Sequence, residues 1–527
     1  MKKHLSIILI GLFLVSHAMM SGGLTTNALG EEKGKKFIWA REAVFDNLDP
    51  HLVYDVSRIS SRLNLYDGLY RWQNNPPEIV PWLAESYKAT EDGLKWTFKL
   101  RKGIKFHDGS ELKAEAVVYS MERLLALGQG AAPLFKAVVG QGSTKAIDGY
   151  TVEFNLTKAY SPFLSIVPEL HIVNPALCKA HEEGSDWGSK WLASNEAGSG
   201  SYMLSAYDPT VGFTMKRFEG HFLGWEGKHV DEVEIRVIRE VASKVLALQK
   251  GEVHAMDGYS LPPEQIDKLS NDPNIQIFKE ASMRTFVIQI HNQRPPLNDV
   301  HVRRAISYAF DYEGFIKSIM GGKATRNGGP IPINMWGAPQ DLKGYEYNIE
   351  KAKKELALAK VKVDRPLKFH AIIGPPSAKS AGLILQNGLA QIGIKLDVVE
   401  EAWPVLTGKA GKVDSAPDMW PHWVSTYYPD PNNWIGEMYL SSRRGSWKAS
   451  SFYDNPKVDE MLVKALNVVN MDERKKLYEE ASRLIVDDAA SLWIYNTDWY
   501  GPFRKNIKGV KFCPIGSGQE CRWIYVE

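Results

Sequence analysis

The chain has 527 residues, of which 44% are hydrophobic and 24% are charged, so it is long enough for two or three domains around a large core. Its 64 basic and 62 acidic side chains give a formal net charge of +2. Because proteins that bind nucleic acid generally carry a basic face, this balance argues against a nucleic-acid partner.

The N-terminus, residues 1–30, has the features of a secretory signal peptide. Two lysines at 2–3 precede an apolar run over 5–15 that is too short to span a bilayer, and small residues allow cleavage after Ala18 or Gly30. No cysteine lies near either cleavage position, so no lipid anchor is expected. An exported protein without an anchor is retained only where a second membrane encloses the space, so the predicted location is the periplasm.

Residues 94–127 predict a strand followed by a helix. Trp96, Phe98 and Leu100 alternate with polar residues, which is the period-two pattern of a strand. A turn at 107–109 separates it from a run over 113–127 with apolar residues at helical spacing.

Residues 366–400 predict a β-α-β unit with parallel strands. Strands are expected at 366–374 and 394–400, and a helix over 380–393 is expected to connect them and to stop at its last glycine. The helix residues expected to be buried are Leu383, Leu385, Leu389 and Ile392.

The sequence lacks the common catalytic and nucleotide-binding motifs. It contains no HExxH, GxxxxGK[ST], GxSxG or GxGxxG pattern, and its 13 histidines are scattered. We therefore expect no metal site and no cofactor. A glycosidase-type pair of carboxylates stays open, because such pairs are built from distant positions in the sequence.

Three cysteines, Cys178, Cys513 and Cys521, occur in the chain. The last two enclose a short segment with one proline and two glycines, and export permits oxidation, so we predict a disulfide between Cys513 and Cys521. Such a loop would stabilise the fold by about 2.5 kcal/mol in the chain-entropy model. Cys178 is then expected to be a buried thiol.

The stretch PWLAESYKATEDGLKWTFKLRKGIKFHDGSELKAEAVVYSMERLL (81–125) resembles the signature region of the family 5 extracellular solute-binding proteins, the peptide/nickel-type receptors of ABC importers. Other blocks agree with that family in order along the chain. They are NLDPH (47–51), GSGSYML (198–204), HVDEVEIRVI (229–238), PPLNDVHVRRAISYAFD (295–311), YEYNIEKAKKEL (345–356) and YDNPKVDEMLVKA (453–465). The resemblance therefore covers essentially the whole mature chain.

The resemblance implies an α/β fold, the two-lobed clamshell of periplasmic binding proteins, in the class with an extra subdomain in the first lobe. The first lobe would span 31–283 in two subdomains, the second lobe 284–498, and residues 499–527 would return to the first lobe. The chain would cross between lobes near 280–286 and 496–502, and these crossings would form the hinge.

The resemblance also implies the function of a substrate-binding protein. A small solute would bind between the lobes and favour their closure, and the closed monomer would deliver the solute to ABC permease subunits of the inner membrane. No bond needs to be broken, so the protein is not expected to be an enzyme. An enzyme or a chaperone on the same clamshell is the alternative, since a fold alone does not fix a function.

The segment HWVSTYYPDPNNW (422–434) carries the predicted site. In peptide-binding relatives the matching segment supplies a tryptophan, then an acid for the peptide ammonium, then an Asp-Pro pair; Trp423 and Asp430 fit the first and last of these. The place of the amine-binding acid falls on Thr426 or Tyr427, and neither carries a charge. A peptide ammonium that faces only a hydroxyl would lack a charge-assisted hydrogen bond, which costs about 2–3 kcal/mol of binding free energy. An ordinary α-amino peptide is therefore in doubt as the ligand.

Asp430 has two interpretations. It replaces the missing acid through a changed loop, or it is a turn carboxylate that accepts from the amides after it. Three further residues match cleft positions of the family: Trp403, which follows a predicted strand, and Phe45 with Asp46, which precede NLDPH. The alternative for Trp403 is a hydrophobic lid on the sheet.

A cleft that is rich in rings and poor in acids suits several solutes. Sugars, amides, opine-like conjugates, oligosaccharide conjugates and uncharged peptides can all pack on aromatic faces and hydrogen-bond to hydroxyls. The family also includes nickel and haem binders, so a metal chelate or haem stays open as an alternative ligand.

Overall fold

The computed structural model describes residues 36–42, 45–55, 58–258, 261–515 and 520–527. The predicted signal peptide over 1–30 lies outside the described residues. Within the described ranges, no helix has the length and apolar character needed to cross a bilayer.

Strands and helices are interspersed along the chain, as expected for a mixed α/β protein. The strands are β1 (Lys36–Arg41), β2 (Tyr70–Gln73), β3 (Glu78–Pro81), β4 (Ala84–Ala89), β5 (Lys95–Leu100), β6 (Val139–Asp148), β7 (Thr151–Leu156), β8 (Tyr202–Asp208), β9 (Gly212–Arg217), β10 (Glu232–Val237), β11 (Ala255–Met256), β12 (Ile275–Ile290), β13 (Ala324–Arg326), β14 (Leu367–Ile372), β15 (Leu396–Glu401), β16 (Met419–Val424), β17 (Ser491–Arg504), β18 (Ile507–Lys508) and β19 (Tyr525–Val526).

The helices differ widely in length. They are α1 (Ile59–Leu65), α2 (Ala114–Leu127), α3 (Ala132–Lys136), α4 (Phe163–Ile166), α5 (Pro175–Ala180), α6 (Ser189–Leu192), α7 (Val241–Lys250), α8 (Pro263–Ser270), α9 (Val300–Tyr308), α10 (Tyr312–Ser318), α11 (Ile349–Leu358), α12 (Pro376–Ala390), α13 (Trp403–Ala410), α14 (Ile435–Tyr439), α15 (Pro456–Asn467) and α16 (Met471–Asp487).

Two long strands join the halves of the largest sheet, whose order is β15-β14-β16-β12-β17-β11-β1-β10-β9-β8. β12 and β17 run antiparallel along most of their length, with a shift in register between Ala281 and Thr285. The predicted hinge crossings at 280–286 and 496–502 overlap this irregular stretch, where the ladder of hydrogen bonds is weakest. We refer to 284–498 as the second lobe and to the described residues on either side as the first lobe, and these boundaries stay predictions.

The first lobe contains the extra antiparallel sheet β4-β5-β7-β6, which packs on α2. The predicted strand and helix are confirmed: Trp96, Phe98 and Leu100 are buried on one face of β5, and α2 ends at Gly128, whose φ of 67° is left-handed. Glycine is suited to that position because it has no Cβ to oppose a positive φ.

The second lobe contains the predicted β-α-β unit. β14 and β15 pair in parallel, with Leu367 opposite Leu396, and α12 connects them. Leu385 and Leu389 are fully buried as expected, but Leu383 is 47% exposed, so the prediction for that residue was wrong. The helix begins at Pro376, before the predicted start, because proline is tolerated in the first turn.

The three cysteines differ in their burial: Cys178 and Cys521 are buried, and Cys513 is partly exposed. Cys178 is a buried thiol as predicted, and burial raises its pKa to about 12. The structure holds Cys513 as a thiol, so it does not contain the predicted bond to Cys521. Cys521 is tied to α1, where its backbone N–H donates to Asn64 Oδ1 at 2.8 Å. The disulfide therefore stays a prediction from sequence that oxidation of the purified protein would test.

Candidate functional site

The two lobes touch along a seam made by residues far apart in sequence. The ring of Tyr54, from the first lobe, lies 5.0 Å from the ring of Tyr427, from the second. The next residue, Tyr428, is buried within the first lobe's cluster around α2. The Ser161 N–H donates to the carbonyl of Leu466 at 2.8 Å. The structure therefore shows the lobes in contact, with Tyr427 at the seam.

Strand β16 places the aromatic wall of the second lobe. It pairs with β12 on one side and β14 on the other, so alternate side chains face opposite surfaces of a central strand. Trp420 and His422 share one surface, with ring centroids 4.7 Å apart, and Trp447 lies 5.2 Å from His422. Burial lowers the pKa of His422 to about 3, so the imidazole is neutral and is part of the packing.

Trp403 covers one end of this group of rings. It begins α13, is 39% exposed, and lies 5.1 Å from Trp447 and 5.9 Å from Trp420 between ring centroids. An exposed tryptophan at the end of a strand is available for a ligand, as the sequence predicts. It also covers the edge of the sheet, so both interpretations of Trp403 fit its position, and its ligand role stays a prediction.

Trp423 points to the opposite surface of β16. Its Nε1–H donates to the hydroxyl of Tyr495 at 3.2 Å, and its ring lies 4.8 Å from Phe286. The guanidinium of Arg284 lies 5.2 Å from its ring centre. Trp423 is therefore a half-buried ring, held in one orientation, with a cation on its face.

Thr426 and Tyr427, the positions of the missing acid, lie at the seam. Thr426 is 2% exposed, and its Oγ1 makes no hydrogen bond with the described residues. Burial raises the pKa of Tyr427, with Asp55 acting in the same direction and Arg284 in the opposite one. A buried hydroxyl without a partner is unusual in a folded protein, which marks Thr426 as a candidate ligand contact.

Lys448 is a further residue beside Tyr427, and sequence patterns did not reveal it. Its ammonium lies 4.4 Å from the centre of the Tyr427 ring. Burial lowers its pKa, Glu437 opposes that effect, and Arg443 adds to it. Within the described residues it forms no ion pair at or below 4.0 Å. No motif marks a lone lysine in the stretch GSWKASS, so sequence patterns gave no signal for it.

Asp430 does not replace the missing acid. It is 1% exposed, and its Oδ2 accepts from Arg474 Nη2 at 2.8 Å. Its Oδ1 accepts from the backbone N–H of Asn432 at 3.0 Å and from the hydroxyl of Tyr478 at 3.4 Å. The predicted ligand role is therefore corrected: Asp430 is a turn carboxylate held in a buried ion pair, because the chain turns there into a short helix that needs a cap.

Phe45 is also corrected. It is fully buried in the core of the first lobe, with its ring 4.9 Å edge-on from Phe213, and its carbonyl accepts from the hydroxyl of Tyr207 at 2.6 Å. Asp46 is exposed and forms an ion pair with Arg58. The structure does not bring Phe45 together with Tyr54 and Tyr427, because its ring packs into the core of the first lobe.

The first lobe supplies a second set of polar groups that sequence patterns did not reveal. Tyr54 has a buried hydroxyl without a hydrogen-bond partner in the described part of the chain. The guanidinium of Arg62 lies 5.5 Å from the Tyr54 ring and 3.3 Å from the carboxylate of Glu169. Burial raises the pKa of Glu169, and Arg62 opposes that shift.

Two recesses lie away from this wall. A cavity of about 60 Å³ in the first lobe lies between α1, β2 and residues of 511–515 and 520–523, and its volume suits a few waters rather than a solute. A crevice of about 440 Å³ runs between the lobes. Its lining includes Lys158, Tyr160, Leu440, Arg443, Val463 and Leu466. None of the predicted ligand-binding residues lines either recess, although Cys513 of the predicted disulfide lines the first.

The described residues hold no group of three or more His, Cys, Asp or Glu side chains that could bind a metal ion. A site of metal-chelate type would therefore depend on groups that the solute itself brings.

Comparison with known proteins gives a consistent result. The profile of the family described as "Bacterial extracellular solute-binding proteins, family 5 Middle" matches residues 78–446. The chain is 30% identical over 478 residues to the "Probable D,D-dipeptide-binding periplasmic protein DdpA" of Escherichia coli (strain K12), covering 89% of this chain and 90% of the relative. It is 26% identical to the "Dipeptide-binding protein" of the same strain, covering 95% and 97% of the two chains.

A solved structure gives the same architecture. The periplasmic binding protein DppA from Helicobacter pylori, in complex with the peptide STSA, superimposes with a TM-score of 0.79 at 25% identity. The match covers 93% of this chain and 98% of that one. The α/β two-lobed fold predicted from the sequence is therefore confirmed.

Proposed function

The chain belongs to family 5 of the bacterial extracellular solute-binding proteins, and from this premise we propose that it captures a short peptide or a peptide-like conjugate for an ABC importer. The observation that carries this proposal is the seam where Tyr54 of one lobe meets Tyr427 of the other. Next to Tyr427 lie Thr426, whose buried hydroxyl has no hydrogen-bond partner among the described residues, and the cation of Lys448.

Binding follows from the geometry of a clamshell. A solute held at this seam contacts both lobes only when they are closed, so it stabilises the closed state by the difference in contact energy. The rings supply apolar faces, and the hydroxyls and the cation supply direction. β12 and β17 connect the lobes, so a change of backbone angles near their irregular stretch is sufficient for opening.

The solute class is supported by the relatives and limited by the site. The two curated relatives are named for dipeptides, and the superimposed structure holds a four-residue peptide. This chain has Thr426 and Tyr427 at the place of the amine-binding acid, and Asp430 is held by Arg474. A peptide-like solute without a free α-ammonium, such as an opine or another conjugate, suits this arrangement better than an ordinary peptide.

The protein is exported to the periplasm by its signal peptide, without a lipid anchor. It works as a monomer that docks on permease subunits of the inner membrane and leaves its solute chemically intact. It is not an enzyme, and it requires neither a cofactor nor nucleic acid.

Native mass spectrometry of the protein purified from its own periplasm tests this proposal. We expect a bound mass that fragments into amino acids or their conjugates and is recovered unchanged after unfolding. A bound haem, metal complex or plain sugar would contradict the solute class, and a modified solute would indicate an enzyme.

If the protein is purified empty, a thermal-shift panel replaces the first experiment. A panel of peptides and conjugates should contain a ligand that stabilises the protein by about 2.7 kcal/mol at a hundred times its dissociation constant. Stabilisation by sugars alone would contradict the proposal.

A further inference from the structure

Lys448 is a cation at the seam that is partly removed from water and has no counter-ion among the described residues. Its ammonium lies 4.4 Å from the centre of the Tyr427 ring, and burial lowers its pKa. The described residues place no carboxylate within 4.0 Å of it. Removing a charge from water is costly unless it is paired, so an unpaired half-buried lysine needs an explanation.

The acids around the seam are engaged by other cations. Glu169 pairs with Arg62 at 3.3 Å, and Asp430 pairs with Arg474 at 2.8 Å. Glu437, the acid that acts on Lys448 through space, pairs with Arg443 at 3.4 Å. These three pairs are close to neutral, so Lys448 is left as an excess positive charge.

The other ionic groups near Tyr427 do not reverse this balance. Asp55 acts on the Tyr427 phenol and lies 4.0 Å from Arg58, which also pairs with Asp46. Arg284 acts on the same phenol from the opposite sign. Among the described residues, the ammonium of Lys448 is therefore a cation at the ring of Tyr427 with no carboxylate within 4.0 Å.

We propose that the cleft selects solutes that carry a carboxylate, which binds the ammonium of Lys448 above the ring of Tyr427, and that a free ammonium on the solute is not required. This inference rests on the proposed function and names the chemical class of its solute. The ring holds the ammonium of Lys448 over its face, because the partial negative charge of an aromatic face attracts a cation. Closure would then pair two charges in a site with little water, where the attraction is stronger than in bulk solvent.

The hydroxyls at the seam suit the neutral part of such a solute. Thr426 Oγ1 and the hydroxyl of Tyr54 are buried and have no hydrogen-bond partner among the described residues. Each can donate to a carbonyl or accept from an amide. An N-acylated amino acid or peptide, or an opine-type conjugate, presents amides and at least one carboxylate.

Isothermal titration with matched ligands tests this inference. Four dipeptides are each supplied as the free acid, as the N-acetyl acid and as the C-terminal amide. The wild-type protein should bind the N-acetyl acid at least as tightly as the free dipeptide, and it should bind the amide about 30-fold more weakly, the expected effect of one charge-assisted hydrogen bond.

Variants of Lys448 separate its charge from its packing. Lys448→Met should lose about 30-fold in affinity for the acids and should leave the affinity for the amides within about 2-fold, while Lys448→Arg should retain most of the affinity for the acids. Lys412→Met is the matched control, since Lys412 is an exposed lysine of the same lobe outside the seam. It should bind every form as the wild type does.

The outcomes distinguish the inference from the function on which it rests. If no dipeptide binds in any form, the proposed peptide-like solute is contradicted, and the inference with it. If dipeptides bind but the acid and the amide bind equally, or Lys448→Met weakens both by the same factor, the inference is overturned and the proposed function stands.

Discussion

Arg474 and Lys448 are two cations of the second lobe with opposite surroundings. Arg474 is buried beside Asp430, with 2.8 Å between Nη2 and Oδ2, and its pKa is raised by that carboxylate despite burial. Lys448 is half-buried, the described part of the chain places no carboxylate within 4.0 Å of it, and burial lowers its pKa. The comparison teaches that a buried charge with its partner serves the fold, whereas a shielded charge without one marks a place where a partner arrives.

Breaking the Arg474 pair should have the largest effect of those considered. Asp430→Asn leaves a buried guanidinium without its counter-ion, so the free energy of unfolding should fall by about 3–5 kcal/mol. Urea denaturation measures this loss. Asp341→Asn is the matched control, because that carboxylate is 73% exposed in its pair with Arg483 and should change stability by less than about 0.5 kcal/mol. If Asp430→Asn instead weakens solute binding at unchanged stability, the correction of Asp430 is contradicted.

Like Lys448, His422 has a pKa that burial lowers, so the free energy of unfolding should depend on pH through His422. Its pKa is about 3 in the folded protein, below the ordinary value of 6.5, so the unfolded chain binds more protons between those values. The stabilising contribution of His422 is fully present above pH 6.5 and is lost as the pH falls. At pH 5 the loss is about 2 kcal/mol of the free energy of unfolding.

The variant His422→Gln isolates that contribution from the other titrating groups. The difference in unfolding free energy between pH 7 and pH 5 should be about 2 kcal/mol smaller in the variant than in the wild type. An equal pH dependence in both proteins would show that His422 does not stay neutral on folding.

Truncating the two tryptophans predicted to contact the solute should have a moderate effect on binding. Trp423→Ala and Trp403→Ala should each weaken the solute about tenfold, because a ring that packs on a ligand contributes about 1–2 kcal/mol. Isothermal titration gives the affinities, and circular dichroism checks the fold. Normal binding by both variants would show that the solute lies elsewhere.

Filling the crevice of about 440 Å³ should have the smallest effect. Val463 lines it and is 47% exposed, so Val463→Tyr can place a ring there without disturbing the core. We expect the affinity for the solute to stay within about 2-fold. A tenfold or greater loss of affinity would place the solute in the crevice and not at the seam beside Tyr427.

Single elements could be predicted from the sequence because their signals are local, whereas the two-lobed fold was predicted from the resemblance of the chain to family 5. Alternation predicted β5, helical spacing predicted α2, and apolar runs predicted the unit from β14 to β15. Each of these patterns reflects one face of an element meeting a core, and that face is read from neighbouring residues. Leu383 shows the limit, since a helix face can look apolar and still be half exposed.

The site was predicted only in part because it depends on distant partners. The pattern in 422–434 singled out Thr426 and Tyr427; Tyr427 lies at the seam, Thr426 precedes it in the chain, and their ligand role stays a prediction. It could not show that Asp430 is held by Arg474, 44 positions away. Nor could it show that Lys448 has no carboxylate beside it, because the absence of a partner becomes visible only when all the neighbours are placed.

A crystal structure of the protein purified with its own solute tests the central claim most directly. Our account predicts a solute at the seam beside Tyr427, with a carboxylate oxygen about 2.7–2.9 Å from the ammonium of Lys448. A solute whose ammonium is bound by an acid of the cleft while Lys448 contacts only protein, or a solute seated in the crevice beside Val463, would contradict it.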